Sequence, residues 1–587
     1  MSTSFDLNDR VKVIEDPTKN VKQIQDRVLE EIVTRNMNTE YLRRFLDDGD
    51  GQFDKEHFKK NVPVVKYDDV KPYIERVFNG EPSDVISSAP ITSLLLSSGT
   101  SGGAQKIIPC SNTFLENFLF INDLRMFVTS KQVDGVERGK GMMFFFATKP
   151  PQIHAPCGLP VWSATSSYFK SDYFTHRPSN WHTSYTSPDD VIFCPDSRQS
   201  LYCHLLCGLV RRDEVVRVGS FFASVLVRAL KFLEDFWKEL CSNIRLGHIS
   251  EWITDPDCKN SVYPILGGPQ PELADTIEHE CSRKPWEGIV SRLWPNTKCV
   301  ETIITGSMAQ YIPALEFYGK DLPLISTIYG SSESVFGINL EPLSEPRDIS
   351  YTFMPNASYF EFKHVDVDDD HGIVDLADVK LGLYYEPLVT NFSGLYRMRV
   401  GDVLLVTGFH NNAPQFRFVR RENVVLSIDT EKTNEEDLFK AVNIAKLRLE
   451  SSALRLTDFT SYADTSTVPG HYVLYWELSR AEDDPELIPE VLEDCCFAVE
   501  ESLDAVYKRC RSKDTCIGSL EIRVVRDGTF DSLMDFFVGE GASICQYKTP
   551  RCIQSSAKAL DVMEERVIAR FFSKKCPPLH GSIVFPI

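Results

Sequence analysis

No run of about 18 consecutive apolar residues occurs in this chain, so the sequence offers no helix able to span a bilayer. Basic excess is also missing. Lys and Arg number 63 against 84 Asp and Glu, a formal net charge of −21, which argues against nucleic acid as a partner because a phosphate backbone must be met by a basic face. The 16 cysteines, spread from Cys110 to Cys576, lack paired C-x-x-C spacing, and most are expected to be buried, reduced thiols. The segment Met1 to Lys19 is polar and acidic. It has neither the apolar core of a secretory signal nor the Arg-rich character of a transit peptide, so a cytoplasmic protein is expected.

Two acidic clusters imitate the start of a calcium loop without completing it. Asp48-Gly49-Asp50 and Asp366-Val367-Asp368-Asp369-Asp370 have Phe53 and His371 where the loop needs Gly, and Lys59 and Ala377 where it needs Glu. Cys203-His204 with Cys207 resembles a metal fragment. Its neighbours Leu201, Leu205, Leu206 and Leu209 instead read as a buried helix turn, and no fourth ligand is evident.

A chain of 587 residues with 42% hydrophobic content exceeds what one core organises, so at least two domains are expected. Apolar residues recur at helical intervals over Val21 to Leu46, Thr113 to Val128 (with Ser111 as N-cap) and Phe221 to Ile244. Gly141 to Ala147 and Leu322 to Tyr329 read as buried strands, and the alternation predicts an α/β fold. Beyond Gly394 short strands take over, at Asp402 to Phe409, Gln415 to Val419 and Asn423 to Ile428, predicting a small barrel or antiparallel sheet. The charged connector Asp429 to Asn434 then leads into an α+β region. The predicted partition is a large domain over 1–428 and a smaller one over 429–587.

The most informative segment is Ser97-Ser98-Gly99-Thr100-Ser101-Gly102-Gly103-Ala104-Gln105-Lys106, which follows the strand-like run Ile91 to Leu96. Glycines let backbone N–H groups approach an anion, hydroxyls add donors, and Lys106 adds a charge, so the segment reads as a phosphate cradle for a nucleoside triphosphate. Its spacing does not fit G-x-x-x-x-G-K-[ST], which disfavours a Walker-type NTPase. A flexible Ser/Gly linker has the same composition. A second loop, Tyr329-Gly330-Ser331-Ser332-Glu333, also follows a strand; Tyr329 is placed to stack on adenine, Ser331 or Ser332 to hold the α-phosphate and Glu333 to coordinate Mg²⁺. A turn with a helix N-cap satisfies the same residues. In Tyr396-Arg397-Met398-Arg399-Val400-Gly401-Asp402 the carboxylate of Asp402 can accept ribose hydroxyls or pair with an arginine. Arg125, on the helix after the cradle, offers a fork for a substrate carboxylate or a surface charge.

These segments, with Gln546-Tyr547-Lys548-Thr549-Pro550-Arg551, Tyr359-Phe360-Glu361-Phe362, Gly337-Ile338-Asn339-Leu340 and the hinge-like Asn423 to Lys432, occur in an order and at separations that resemble the plant auxin-responsive acyl-acid amido synthetases, of the adenylate-forming superfamily. The likeness runs over nearly the whole chain. It implies a large adenylating domain, a mobile C-terminal domain, and ATP with Mg²⁺ as cofactors. The implied reaction joins a small carboxylic acid to a free amino acid through an acyl adenylate.

The resemblance further implies that Ser97, Ser98 and Thr100 face phosphate, that Tyr329, Gly330, Ser331 and Ser332 hold the nucleotide, and that Asp402 binds ribose. Glu333 would serve the metal, and Lys548 would neutralise charge during adenylation. Arg125, Thr165, Ser167, Val335 and Phe336 are the expected acid-binding residues, with Tyr168 near them. Auxin- and jasmonate-acting relatives carry a large aromatic residue where Val335 follows Ser334 here, so a benzoate-like or longer indole acid is an equally reasonable expectation. A monomer with no nucleic-acid or membrane partner is expected. The alternatives are an acyl-CoA ligase sharing the adenylation half-reaction and a non-catalytic acid-binding protein.

Overall fold

Strand formation reaches further into the cradle than the sequence suggests. A computed structural model describes residues 7–46, 53–101, 104–147, 153–177, 184–365, 372–422, 424–452, 454–480, 487–539, 549–553 and 557–578. In it the strand Ile91–Ser101 runs beyond the apolar segment, and a second strand, Ala104–Ser111, pairs with it. The expected loop is therefore largely strand. The two acidic clusters at 48–50 and 366–370 lie outside the described residues.

The chain forms two compact units, Met1–Ser97 with Lys106–Glu422 and Ser98–Gln105 with Asn423–Ile587. The larger unit opens with helices. The predicted helical stretch from Val21 divides into Val21–Asn36 and Glu40–Leu46, because Asn36 and Thr39 bond their own backbone: Asn36 Nδ2 donates to the Ile32 carbonyl at 2.8 Å and Thr39 Oγ1 to the Asn36 carbonyl at 2.7 Å. A four-stranded parallel sheet follows the order Lys140–Met143, Val215–Phe222, Cys299–Ile303, Leu324–Ile325. Helix Ala223–Leu246 buries one apolar stripe, Leu226, Ala229, Leu230, Leu233 and Leu240, and ends at Gly247, whose φ of +68° stops the helix.

The predicted single strand from Leu322 to Tyr329 is two strands in two sheets. Leu324–Ile325 closes the parallel sheet, and Ile328–Gly330 starts an antiparallel hairpin with Val335–Ile338 at the edge of a nine-stranded sheet. Side-chain bonds hold the crossover: Asn339 Nδ2 donates to the Ser326 carbonyl at 3.1 Å, and Ser326 Oγ lies 2.8 Å from Tyr351 Oη. Two of the three late short strands join the same sheet, whereas the third, Val424–Leu426, pairs with Thr433–Asn434 in a separate two-stranded sheet of the smaller unit. Asp402–His410 and Ala413–Arg421 form a hairpin turned at Asn411, which sits at φ +52°.

In the smaller unit the sheet order is Leu454–Asp464, His471–Arg480, Glu521–Val525, Val567–Phe572. Alternate residues of its central strand face opposite cores, Tyr472, Leu474 and Trp476 on one side and Val473 and Tyr475 on the other. Burial on both faces explains that strand's nearly continuous apolar sequence. The whole is a mixed α/β protein with a large N-terminal and a smaller C-terminal part.

Candidate active site

The Tyr329–Glu333 segment is a hairpin turn, not a helix start. Ser331 N–H donates to the Ser334 carbonyl at 2.8 Å, Glu333 N–H donates to Ser331 Oγ at 3.2 Å, and the strands on either side pair Gly330 with Val335 and Tyr329 with Gly337. Gly337 lets the neighbouring strand Tyr351–Phe353 pack against this hairpin, since a Cβ there would stand 2.4 Å from the Thr352 carbonyl oxygen. Gly330 is exposed, and Ser331 and Ser332 are half-buried in the turn.

Tyr329 is buried. Its ring stacks on Phe336 with centroids 4.9 Å apart, and its hydroxyl donates to Asp402 Oδ2 at 2.7 Å. Asp402 Oδ1 accepts from Arg421 Nη1 at 3.1 Å, across the register pair Asp402–Arg421. The arginine alternative for Asp402 is thus realised, and the guanidinium and phenol hold both carboxylate oxygens in fixed directions. Burial together with the Asp402 charge pushes the Tyr329 hydroxyl well above its ordinary range, so it stays a donor.

Lys106 closes the cradle beside this hairpin. Its ammonium lies 5.3 Å from the centre of the Tyr67 ring. Burial lowers its pKa, the nearby Arg421 lowers it further, and Glu333 and Asp402 oppose both. Glu333 is itself buried. Two cations and two carboxylates, with Lys106 about 230 to 315 positions before the other three, thus share one neighbourhood, where an anion and its metal meet charge of each sign. With Asp402 engaged by Tyr329 and Arg421, the Glu333 carboxylate in the serine-bearing turn suits Mg²⁺, which keeps waters and phosphate oxygens as its other ligands. Ser97 is buried on its strand; the side chains of Ser98 and Thr100 lie outside the described part.

Arg125 lies on helix Asn112–Gln132, capped by Ser111 Oγ accepting from Phe114 N–H at 3.4 Å. It is no surface charge. Nε donates to Asn122 Oδ1 at 2.9 Å, Nη1 donates to Thr327 Oγ1 at 2.9 Å, and the same nitrogen pairs with Glu301. Arg217 Nη1 approaches the other Glu301 oxygen at 3.0 Å. Burial pushes the Glu301 carboxyl up, but the two arginines outweigh it and hold the group below its ordinary value. This trio lines a cavity with Phe118, Phe145, Tyr168 and Tyr185.

Of the other expected acid-binding residues, Thr165 and Ser167 are not among those lining that cavity, although Tyr168 on the same helix is. Val335 and Phe336 are buried in the hairpin and its aromatic packing and do not line it either. Arg421, Glu301 and Arg217 escaped the sequence reading, having no motif around them. Arg397 and Arg399 serve the architecture: Arg397 grips Glu361 with a fork at 2.8 and 2.9 Å, and Arg399 pairs with Glu386 and Glu422. Lys548 lies outside the described residues; the following Thr549 donates to Asp458 Oδ2 at 2.7 Å.

Three family models match the chain in order: the GH3 family N-terminal domain over residues 10–324, the central domain over 351–421 and the C-terminal domain over 436–557. The 4-substituted benzoates-glutamate ligase GH3.12 of Arabidopsis thaliana is 66% identical, over 98% of this chain and 100% of its own length. The indole-3-acetic acid-amido synthetase GH3.17 of the same organism is 54% identical over 98% of both chains. Among solved structures, the AtGH3.15 acyl acid amido synthetase in complex with 2,4-DB has a TM-score of 0.69 at 52% identity, covering 98% of this chain and 100% of that one. The fold extends to a 2-hydroxyisobutyryl-CoA ligase, with a TM-score of 0.52 at 11% identity over 96% of this chain and 97% of that one. With these matches spanning the large unit, the hairpin site and the C-terminal part, the chain belongs to the GH3 family.

Proposed function

We propose that the protein is an ATP-dependent acid–amino acid ligase. The observation that carries this reading is the convergence of Lys106, Glu333, Asp402 and Arg421 beside the Tyr329 hairpin, in a chain whose relatives are named amido synthetases and ligases. In the first step the acid's carboxylate attacks the α-phosphorus of ATP and pyrophosphate leaves. In the second, the amine of an amino acid attacks the acyl carbonyl and AMP leaves, giving an amide.

This chemistry asks the protein for positioning and charge compensation more than for covalent participation. Ser97, Ser98 and Thr100 supply hydroxyls to phosphate and Lys106 a cation. Gly330, Ser331 and Ser332 present the turn to the nucleotide beside Tyr329, and Asp402 accepts from ribose. Mg²⁺, held by Glu333, would offset phosphate charge. Lys548 adds a cation from the C-terminal domain, whose working boundary we place after residue 428, and its movement shields the hydrolysable intermediate from water. Arg125 and Tyr168 orient the acid, with Thr165, Ser167, Val335 and Phe336 shaping its surroundings. The protein acts as a cytoplasmic monomer.

The aromatic lining of the cavity, with Arg125 and Arg217, suits a hormone-like aromatic or indole acid, and the name of the 66% identical relative puts 4-substituted benzoates and glutamate first in the panel. The test crosses acyl acids with amino acids under MgATP, reading pyrophosphate release and product mass. An amide with AMP release is expected. Turnover that requires coenzyme A and gives a thioester would overturn the reading in favour of an acyl-CoA ligase.

A further inference from the structure

Away from the nucleotide and acid residues, two thiols and a carboxylate converge where helices begin. Cys194 sits in the turn between the helices Asp189–Ile192 and Ser197–Val210, and Asp255 caps the helix Pro256–Leu266. Asp255 Oδ1 accepts the Cys258 N–H at 2.8 Å, which sets Cys258 at the third helical position, its thiol facing the same helix start as the carboxylate. One ligand atom each from Cys194, Asp255 and Cys258 lie within 4.8 Å of one another. The two cysteines are buried and Asp255 is half-buried.

The carboxylate is anchored. Gln199 Oε1 accepts the N–H groups of Thr254 at 2.8 Å and Asp255 at 3.0 Å, fixing the backbone that presents it. His204 is committed elsewhere: Nε2 donates to the Phe145 carbonyl at 2.9 Å, leaving Nδ1 to accept from Ser187 Oγ at 2.8 Å. The fragment Cys203-His204-Cys207, on the neighbouring helix Ser197–Val210, contributes no ligand atom to this group.

We propose that Cys194, Cys258 and Asp255 form a site for one thiophilic divalent cation, with water completing the tetrahedron and zinc the chemistry that fits. Soft thiolates with one oxygen ligand suit Zn²⁺ and disfavour Mg²⁺ or Ca²⁺. Tetrahedral zinc with Zn–S bonds of about 2.3 Å separates its ligands by roughly 3.8 Å, within the observed limit for Cys194, Cys258 and Asp255. Binding replaces the thiol protons and ties the helix Pro256–Leu266 to the turn before the Ser197–Val210 helix. A disulfide between Cys194 and Cys258 would use both thiols and leave Asp255 its capping role alone. The proposal stands apart from the ligase reading and its test needs no turnover.

The test uses the untagged full chain, reduced, stripped with a chelator and titrated with Co²⁺ alone and then Zn²⁺. Expected are one cobalt per chain, an intense thiolate-to-cobalt band with tetrahedral ligand-field bands, and displacement of cobalt by zinc. Cys258→Ser and Asp255→Asn should each weaken uptake at least about 10-fold, and His204→Gln should leave the bands in place. No thiolate band in the folded wild-type chain, or a band that Cys258→Ser and Cys194→Ser leave unchanged, would overturn the site. A Cys194–Cys258 disulfide found by mass in the purified chain, with no metal bound after reduction, would replace it.

Discussion

Tyr329 and Asp402 meet through a 2.7 Å hydrogen bond in which the phenol donates to Oδ2, while Arg421 takes Oδ1 at 3.1 Å. The two halves of the proposed nucleotide site are therefore one unit. Asp402→Ala strands the largely buried Arg421 charge and should cost about 3–5 kcal/mol, with loss of turnover. Tyr329→Phe removes a single charge-assisted bond, about 1.5–3 kcal/mol, and should raise the KM for ATP while the fold persists. Denaturant unfolding beside pyrophosphate release separates the two effects.

Lys106 supplies the cradle's cation. Lys106→Met should raise the KM for ATP about 10- to 100-fold, the equivalent of one charged hydrogen bond of 1.5–3 kcal/mol. Because burial, followed by Arg421, lowers the lysine below its usual 10.5, its charge is lost earlier on the alkaline side. Wild-type affinity for ATP should fall as pH rises through that lowered value, and the Met variant should lack this arm in a KM–pH profile.

Glu301 bridges Arg125 and Arg217, and Glu301→Gln should destabilise by about 3–5 kcal/mol and raise the KM for the acid. Its folded pKa is held below the unfolded 4.5, so its stabilisation is fully present above pH 4.5 and is lost as pH falls through the lower folded value. Acid titration of the unfolding free energy should show this arm shrinking in the Gln variant.

Gly337→Ala pushes a Cβ to 2.4 Å from the Thr352 carbonyl oxygen, between two backbones that cannot both yield. A loss of about 1–3 kcal/mol is expected in thermal unfolding. Gly382→Ala, at φ +79° with no atom within 4 Å, carries conformational strain alone and should cost less, about 1 kcal/mol.

Lys548→Ala should lower acid-dependent pyrophosphate release on the order of 100-fold by removing charge compensation. Amide formation from a preformed acyl adenylate should continue. Equal loss of both steps would remove the lysine from adenylation.

Much of the organisation was legible in local pattern, because periodicity and capping act over a few residues. Helix Asn112–Gln132 starts at the expected Ser111 cap, and Asp402–His410 begins at the expected aspartate. The misreadings came where side chains bond their own backbone or where strands change sheets. Asn36 and Thr39 end one helix and begin another, and Ser326 and Thr327 carry one apolar run from the parallel sheet into the antiparallel one.

The sequence by itself determined the residue types of the site, its glycines, hydroxyls, Glu333 and Asp402, since their order along the chain carries the family likeness. Tertiary structure alone decided their partners. Arg421 reaches Asp402 by strand register, Arg217 and Arg125 share Glu301 across separate elements, and Cys258 meets Cys194 through the start of a distant helix. The reason is physical. A buried charge or thiol is stabilised by whichever group the packed backbone sets within a few ångströms, and sequence separations of 19 to 176 residues leave no local trace of that choice.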